Sequence, residues 1–182
     1  MNSHVGTGRV VEWEGIEIHV DGPAGAAVIV MIHGWPDTFK IWDAQVADFS
    51  KDYRCARFTV PGYEIGEERR SFGLDEITRI IGGVVDAVSP DAPVVLVLHD
   101  WGCVFGDAYA DLAPEPVSAV VMFDVGDANS PDLEYELARP SKLMRASYQG
   151  ALAAAWRRGG RIGDSLTRAI ARALAPHSDI GL

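Results

Sequence analysis

Apolar and polar positions follow short, repeated patterns through the first two-thirds of the chain, and their period switches back and forth between two values. Residues 10–13 and 16–20 flank Glu14-Gly15, which predicts a hairpin. Residues 28–32 form a continuous apolar run, as expected of a strand buried on both faces. Asp37 or Thr38 stands where a helix cap belongs, ahead of Ile41, Trp42, Val46 and Phe49. Residues 57–60 predict a strand ended by Pro61-Gly62. Leu74, Ile77, Ile80, Ile81, Val84, Val85 and Val88 draw a helical stripe, with Asp75 and Glu76 in the first turn where the helix dipole favours acids. A second apolar run at 94–98 reads as a strand, and Val104, Phe105, Ala108, Tyr109 and Leu112 return to helical spacing. Residues 117–123 predict one more buried strand. Strands that alternate with helices place the chain in the α/β class, with a mostly parallel sheet covered on both faces.

The pattern changes near residue 130. Gly126-Asp127-Ala128-Asn129-Ser130-Pro131-Asp132 is a string of turn formers that reads as a linker. It divides a core, residues 1–130, from a helical region, 131–182. In that region Leu143, Ser147 and Leu152, then Ile162, Leu166, Ile170 and Leu174, recur at near four-residue steps.

Charge follows the same division. The formal charge is −10, yet from Arg139 to Arg172 there are eight basic residues and one acid, Asp164. The acidic remainder argues against a nucleic-acid surface over most of the molecule. The basic stretch reads as helices whose charges face water or the acidic core, in preference to a lipid-binding helix. The apolar runs fall far short of the ~20 residues that span a bilayer, and no basic head precedes an apolar run at the N-terminus. The expectation is a soluble, cytoplasmic protein without nucleic-acid or membrane partners. Cys55 and Cys103 fall in apolar segments and read as packed small residues, not as a disulfide framework.

The chemistry concentrates at His99-Asp100-Trp101-Gly102, the seam between the strand at 94–98 and the helix after it. A strand that turns sharply into a helix with one reactive side chain at the corner is a nucleophile elbow. A serine there needs a base before it can attack. An aspartate, with a reference pKa near ~3.9, is expected to be ionised at pH 7 without help, and it can attack an sp³ carbon to form an alkyl ester. A second motif, His33-Gly34-Trp35-Pro36, directly follows the strand at 28–32.

Together the two motifs resemble the α/β hydrolases of the epoxide hydrolase and haloalkane dehalogenase group, and Pro61-Gly62-Tyr63 fits the same plan. The resemblance covers about residues 8–130. It implies an α/β-hydrolase fold carrying a helical lid, with Asp100 as nucleophile. It implies that the backbone N–H groups of Trp35 and Trp101 form the oxyanion hole, each donor worth roughly 3–4 kcal/mol in a dry site. His33, Gly34 and Pro36 shape that turn, and the two indoles line the pocket. The family turn suggests a cis bond before Pro36, where trans is the ordinary expectation. The implied substrate is small and hydrophobic, an epoxide opened to an ester and released as a diol, with an alkyl halide as the alternative. No metal or organic cofactor is implied. His33 and His99 read as structural hydrogen-bonding residues, with His99 pointing away from the pocket.

Several features depart from the family pattern. Leu98, two residues before the nucleophile, stands where the family has glycine or another small residue. An elbow already strained by about 1–3 kcal/mol is then expected to rearrange locally or to loosen. The strand at 117–123 counts as the sixth, so the lid begins near residue 130 and the chain is expected to end inside it, truncated before two strands and the base histidine. His177, beside Pro176, reads as a surface residue. Asp124 and Asp127 follow the sixth strand, where some relatives place the acid that orients the base; without that histidine they read as turn residues. Tyr135 and Tyr148 are candidates for the lid tyrosines that activate an epoxide oxygen, and helix packing explains them equally well. A different class of function is an inactive fragment acting as a binding module, its strand at 117–123 an exposed edge for self-association.

Overall fold

A computed structural model describes residues 8–63, 70–124 and 139–176. The hairpin forms as the pattern predicts. Strands β1 (Arg9–Trp13) and β2 (Ile16–Asp21) pair antiparallel with Trp13 opposite Ile16. Glu14 and Gly15 both take positive φ, 46° and 81°, the backbone of a two-residue turn whose twist matches its strands. In β3 (Val28–Ile32) all five residues are buried.

The predicted helix after residue 38 is split. A single 3₁₀ turn, Phe39–Trp42, leads into α1 (Asp43–Phe49), and Thr38 rather than Asp37 is the cap, its hydroxyl accepting from the Lys40 N–H at 3.4 Å. Strand β4 (Arg54–Phe58) begins earlier than expected and stops short of Val60. The Val60 N–H is diverted from the ladder to His33 Nε2, at 2.9 Å. Helix α2 (Leu74–Val88) buries the predicted stripe from Ile77 to Val88, leaving Leu74 exposed at its start. The Trp13 ring fills the space that a Cβ on Gly83 would need. Then follow β5 (Val94–His99), α3 (Trp101–Leu112), β6 (Val117–Phe123), α4 (Arg139–Arg158) and α5 (Gly160–Leu174), the last two packed on each other.

The sheet runs β1-β2-β4-β3-β5-β6. The hairpin joins it antiparallel through β2 and β4, and β4, β3, β5 and β6 are mutually parallel. Alternate residues of the central strands feed two cores. Val30, Ile32, Leu96 and Leu98 pack with α2 and α3 on one face, while Ile29, Met31 and Val97 pack with Trp42 and Val46 on the other. Cys55 and Cys103 are buried free thiols, and burial pushes the Cys55 thiol up to about 11.

The last strand corrects the sequence expectation. β6 is not buried on both faces: Val120 and Met122 pack on the first core, but Val121 and Phe123 are 41% and 51% exposed. Val121 lies beside Val97 in the register. Trp42 and Val46, which cover Val97, extend no further across the sheet. β6 is an edge among the described strands. The linker at 126–132 lies outside the described residues.

Candidate active site

Asp100 occupies the corner between β5 and α3 with φ 50° and ψ −120°, a backbone region that costs a non-glycine residue strain. Its surroundings hold it there. Its N–H donates to the Phe123 carbonyl of β6 at 3.4 Å, and its own carbonyl accepts from the Cys103 N–H at 2.9 Å, opening α3. The corner is pressed against the turn that follows β3. A Cβ on Gly34 would collide with the Asp100 carboxyl and the Trp101 nitrogen, and one on Gly102 with the Ile32 and His33 carbonyl oxygens. The two glycines are what let the motifs meet.

Their meeting places two peptide donors on one carboxylate. The Trp35 N–H donates to Asp100 Oδ2 at 2.8 Å, and the Trp101 N–H hydrogen-bonds the same group. Burial raises the Asp100 carboxyl above the usual aspartate range, with nearby Asp124 adding to the rise; the Trp101 and Trp35 amides, then His99, pull the other way. The reference value taken from the sequence is thus moved upward by burial. Removed from bulk water, the charge leans on the amides.

His33 is fully buried. Its Nε2 accepts from Val60, which leaves the proton on Nδ1 to donate to the Gly34 carbonyl at 2.9 Å. Burial lowers its pKa to about 4. His33 therefore ties two turns together as a neutral ring. The ring of His99 lies edge-on to Trp42, 6.4 Å between centroids, on the face of the sheet opposite the first core. The Trp35–Pro36 bond is cis.

Leu98 does not loosen the corner. It is fully buried, and a Cβ on Gly106 of α3 would collide with its side-chain methyls. The bulk added on the strand is matched by bulk absent from the helix.

A set of rings surrounds Asp100. Trp35 stacks on Tyr148 of α4 at 6.0 Å and 16°, and Trp101 stacks on Phe105 at 5.9 Å and 25°. Tyr63 stands edge-on to both His33 and Phe105. Burial, then the Asp100 carboxylate and Tyr148, raise the Tyr63 phenol well above its usual range. In the sequence Tyr63 figured only within Pro61-Gly62-Tyr63 and Phe105 only as a helical position; neither was expected at the site. The available signals were the four-residue step from Trp101 to Phe105 and the position of Tyr63 just past a Pro-Gly turn.

Asp124 directly follows β6, exposed and at φ 76°. Asp127, Tyr135 and His177 lie outside the described residues. Among the described residues no group of three His, Cys, Asp or Glu side chains is placed to hold a metal ion, and no helix is long and apolar enough to cross a membrane. A separate cavity of about 690 Å³, lined by Trp13, Phe39, Phe72 and Arg70 among others, lies by the hairpin and α2, away from Asp100.

Comparison with known proteins bears on the family and the fold. Residues 27–178 match the family model described as alpha/beta hydrolase fold. The chain is similar to epoxide hydrolase 4 of Homo sapiens, 28% identical over 132 residues, which is 70% of this chain and 35% of that protein. It is 25% identical over 122 residues to epoxide hydrolase 1 of Caenorhabditis elegans, covering 64% of this chain and 30% of the relative. Among solved structures, epoxide hydrolase VrEH1 from Vigna radiata superposes with a TM-score of 0.58 at 28% identity, over 80% of this chain and 47% of that one. A mutant epoxide hydrolase from Bacillus megaterium superposes with a TM-score of 0.70 over 92% of this chain and 60% of its own, and at 19% identity shows the shared fold alone. The chain thus spans about a third of the length of these curated relatives.

Proposed function

The chain belongs to the alpha/beta hydrolase fold family, and from that premise we propose that it carries the nucleophilic half of an epoxide hydrolase, with Asp100 forming an alkyl ester. The observation that carries this reading is the convergence of the Trp35 and Trp101 N–H groups on the Asp100 carboxylate. One carboxylate oxygen attacks the less hindered epoxide carbon, the C–O bond of the ring breaks, and the ring oxygen leaves as an alkoxide that takes up a proton. The carboxyl oxygen Oδ2, which accepts from the Trp35 N–H, becomes the ester carbonyl. When water later adds to that carbonyl, the negative charge develops between donors already in position.

Tyr148, stacked on Trp35, is the residue best placed among the described lid side chains to donate the proton to the opening ring. The two helices α4 and α5 serve as part of a lid, and Trp35, Trp101, Phe105 and Tyr63 supply an apolar wall suited to a small hydrophobic substrate.

The second half-reaction needs a base for water. Among the described residues, neither His33, engaged on both nitrogens, nor His99, turned toward Trp42, is placed to serve as that base. The 182-residue chain is therefore expected to acquire one alkyl group at Asp100 and to turn over very slowly. Incubation with an aryl glycidyl ether, followed by intact-mass and peptide mass spectrometry, tests this. A single adduct on Asp100, absent from Asp100→Asn, supports the reading. No adduct on a folded chain sinks it. An alkyl halide run in parallel distinguishes dehalogenation, which would release halide in step with the adduct.

A further inference from the structure

Among the described residues two apolar surfaces are exposed, one flanked by acids and the other by bases. The first is the outer face of β6, where Val121 and Phe123 are exposed beside the covered Val97. A parallel sheet layer of this kind is normally covered by a helix. Acids flank it: Glu115 and Asp124 bracket the strand. The second surface is on α5. Ile162, Leu166 and Leu174 are 54%, 47% and 47% exposed, and exposed Arg161 and Arg172 lie on the same helix. The stretch from Arg139 to Arg172 holds eight bases and one acid. α5 touches α4 extensively but has no comparable contact with β6 of its own chain.

We infer that α5 of one molecule docks on the bare β6 face of a second copy of this chain. The occupant is argued from complementarity. The sheet face needs an apolar helix, and α5, packed on α4 by one side, exposes apolar residues flanked by bases among the described residues. The contact is heterologous, joining different patches on the two molecules. Each molecule keeps one free patch of each kind, so association continues head to tail until a ring closes or chains grow. Opposite charge on the two rims speeds encounter, and added salt weakens it.

Sedimentation velocity and light scattering on the full chain test this with two variants at half-exposed positions, Val121→Asp and Leu166→Asp. The wild-type chain is expected to associate with rising concentration, and each variant alone to be monomeric, its association weakened at least about tenfold by a charge set in an apolar contact. Mixing the two variants is the decisive step. One retains an intact helix patch and the other an intact sheet patch, so the mixture forms a dimer and stops there. A wild-type chain that stays monomeric at every concentration overturns the inference. So does association lost in Val121→Asp but kept in Leu166→Asp, the signature of symmetric edge-to-edge strand pairing. Loss in Leu166→Asp alone indicates a helix-to-helix contact and overturns it too, as does a mixture that fails to restore the dimer. Phe123→Asp and Ile162→Asp replace any variant whose circular dichroism departs from wild type.

Discussion

Leu98 of the elbow strand sits in the space that Gly106 leaves open on the helix packed against it. The pair explains how a large residue is tolerated next to a strained corner. Gly106→Ala is expected to overpack the contact, at a cost of about 1–3 kcal/mol, offset in part by about 1 kcal/mol of helix propensity. Leu98→Ala alone leaves a cavity worth about 2–5 kcal/mol. The two substitutions together should cost clearly less than their separate costs combined. Urea unfolding of the four chains in this cycle measures the coupling; strict additivity would show that the two residues do not share one space.

Asp100→Asn should abolish alkylation and at the same time stabilise the fold at neutral pH. The folded carboxyl titrates above its ordinary value, so the folded state holds the proton more tightly than the unfolded chain does. Stability that Asp100 contributes in acid is then lost as pH rises through the folded pKa. The asparagine is spared that loss. Thermal unfolding should give a higher Tm for the variant at pH 7 and converging values in acid. A lower Tm at pH 7 would contradict the burial argument.

His33 supplies the opposite sign. Its folded pKa of about 4 lies below the ordinary 6.5, so the unfolded chain takes up the proton first. Its contribution is complete above about 6.5, falls as the pH drops toward about 4, and is constant below that, a change of about 3 kcal/mol. His33→Gln should flatten this part of the stability–pH curve, read from urea midpoints at a series of pH values. A variant that keeps the wild-type slope would move the titration to another group.

Tyr148→Phe keeps the stacking ring and removes the hydroxyl. If that hydroxyl donates to the opening epoxide, the rate of Asp100 alkylation should fall by about a hundredfold, with Tm nearly unchanged. Single-turnover mass spectrometry measures the rate. An unchanged rate would leave the ring as packing only.

The first 124 residues were largely legible because their local signals agree with one another. Strand β3, helix α2 and the elbow each combine an unambiguous period with a turn signal at the end, and the family resemblance of the two motifs implied backbone donors at Trp35 and Trp101. The misreadings have physical causes. An apolar strand reads the same whether or not a helix covers it, so the exposure of Val121 and Phe123 was hidden in the composition of β6. The Asp100 carboxyl was taken at its solution pKa because burial is a property of the fold. The Leu98–Gly106 pairing was invisible because it joins a strand to a helix across the elbow, and no local pattern links the two positions.

Both hydrogen-bond donors at Asp100 belong to the main chain. Replacing an indole by any residue but proline leaves them in place, and whichever residue takes position 100 inherits them ready-made. The two donors are thus independent of the side chain at the bend: a serine in that place would meet the same amides, yet would still lack, among the described residues, the proton acceptor that its hydroxyl requires before it can attack a carbonyl.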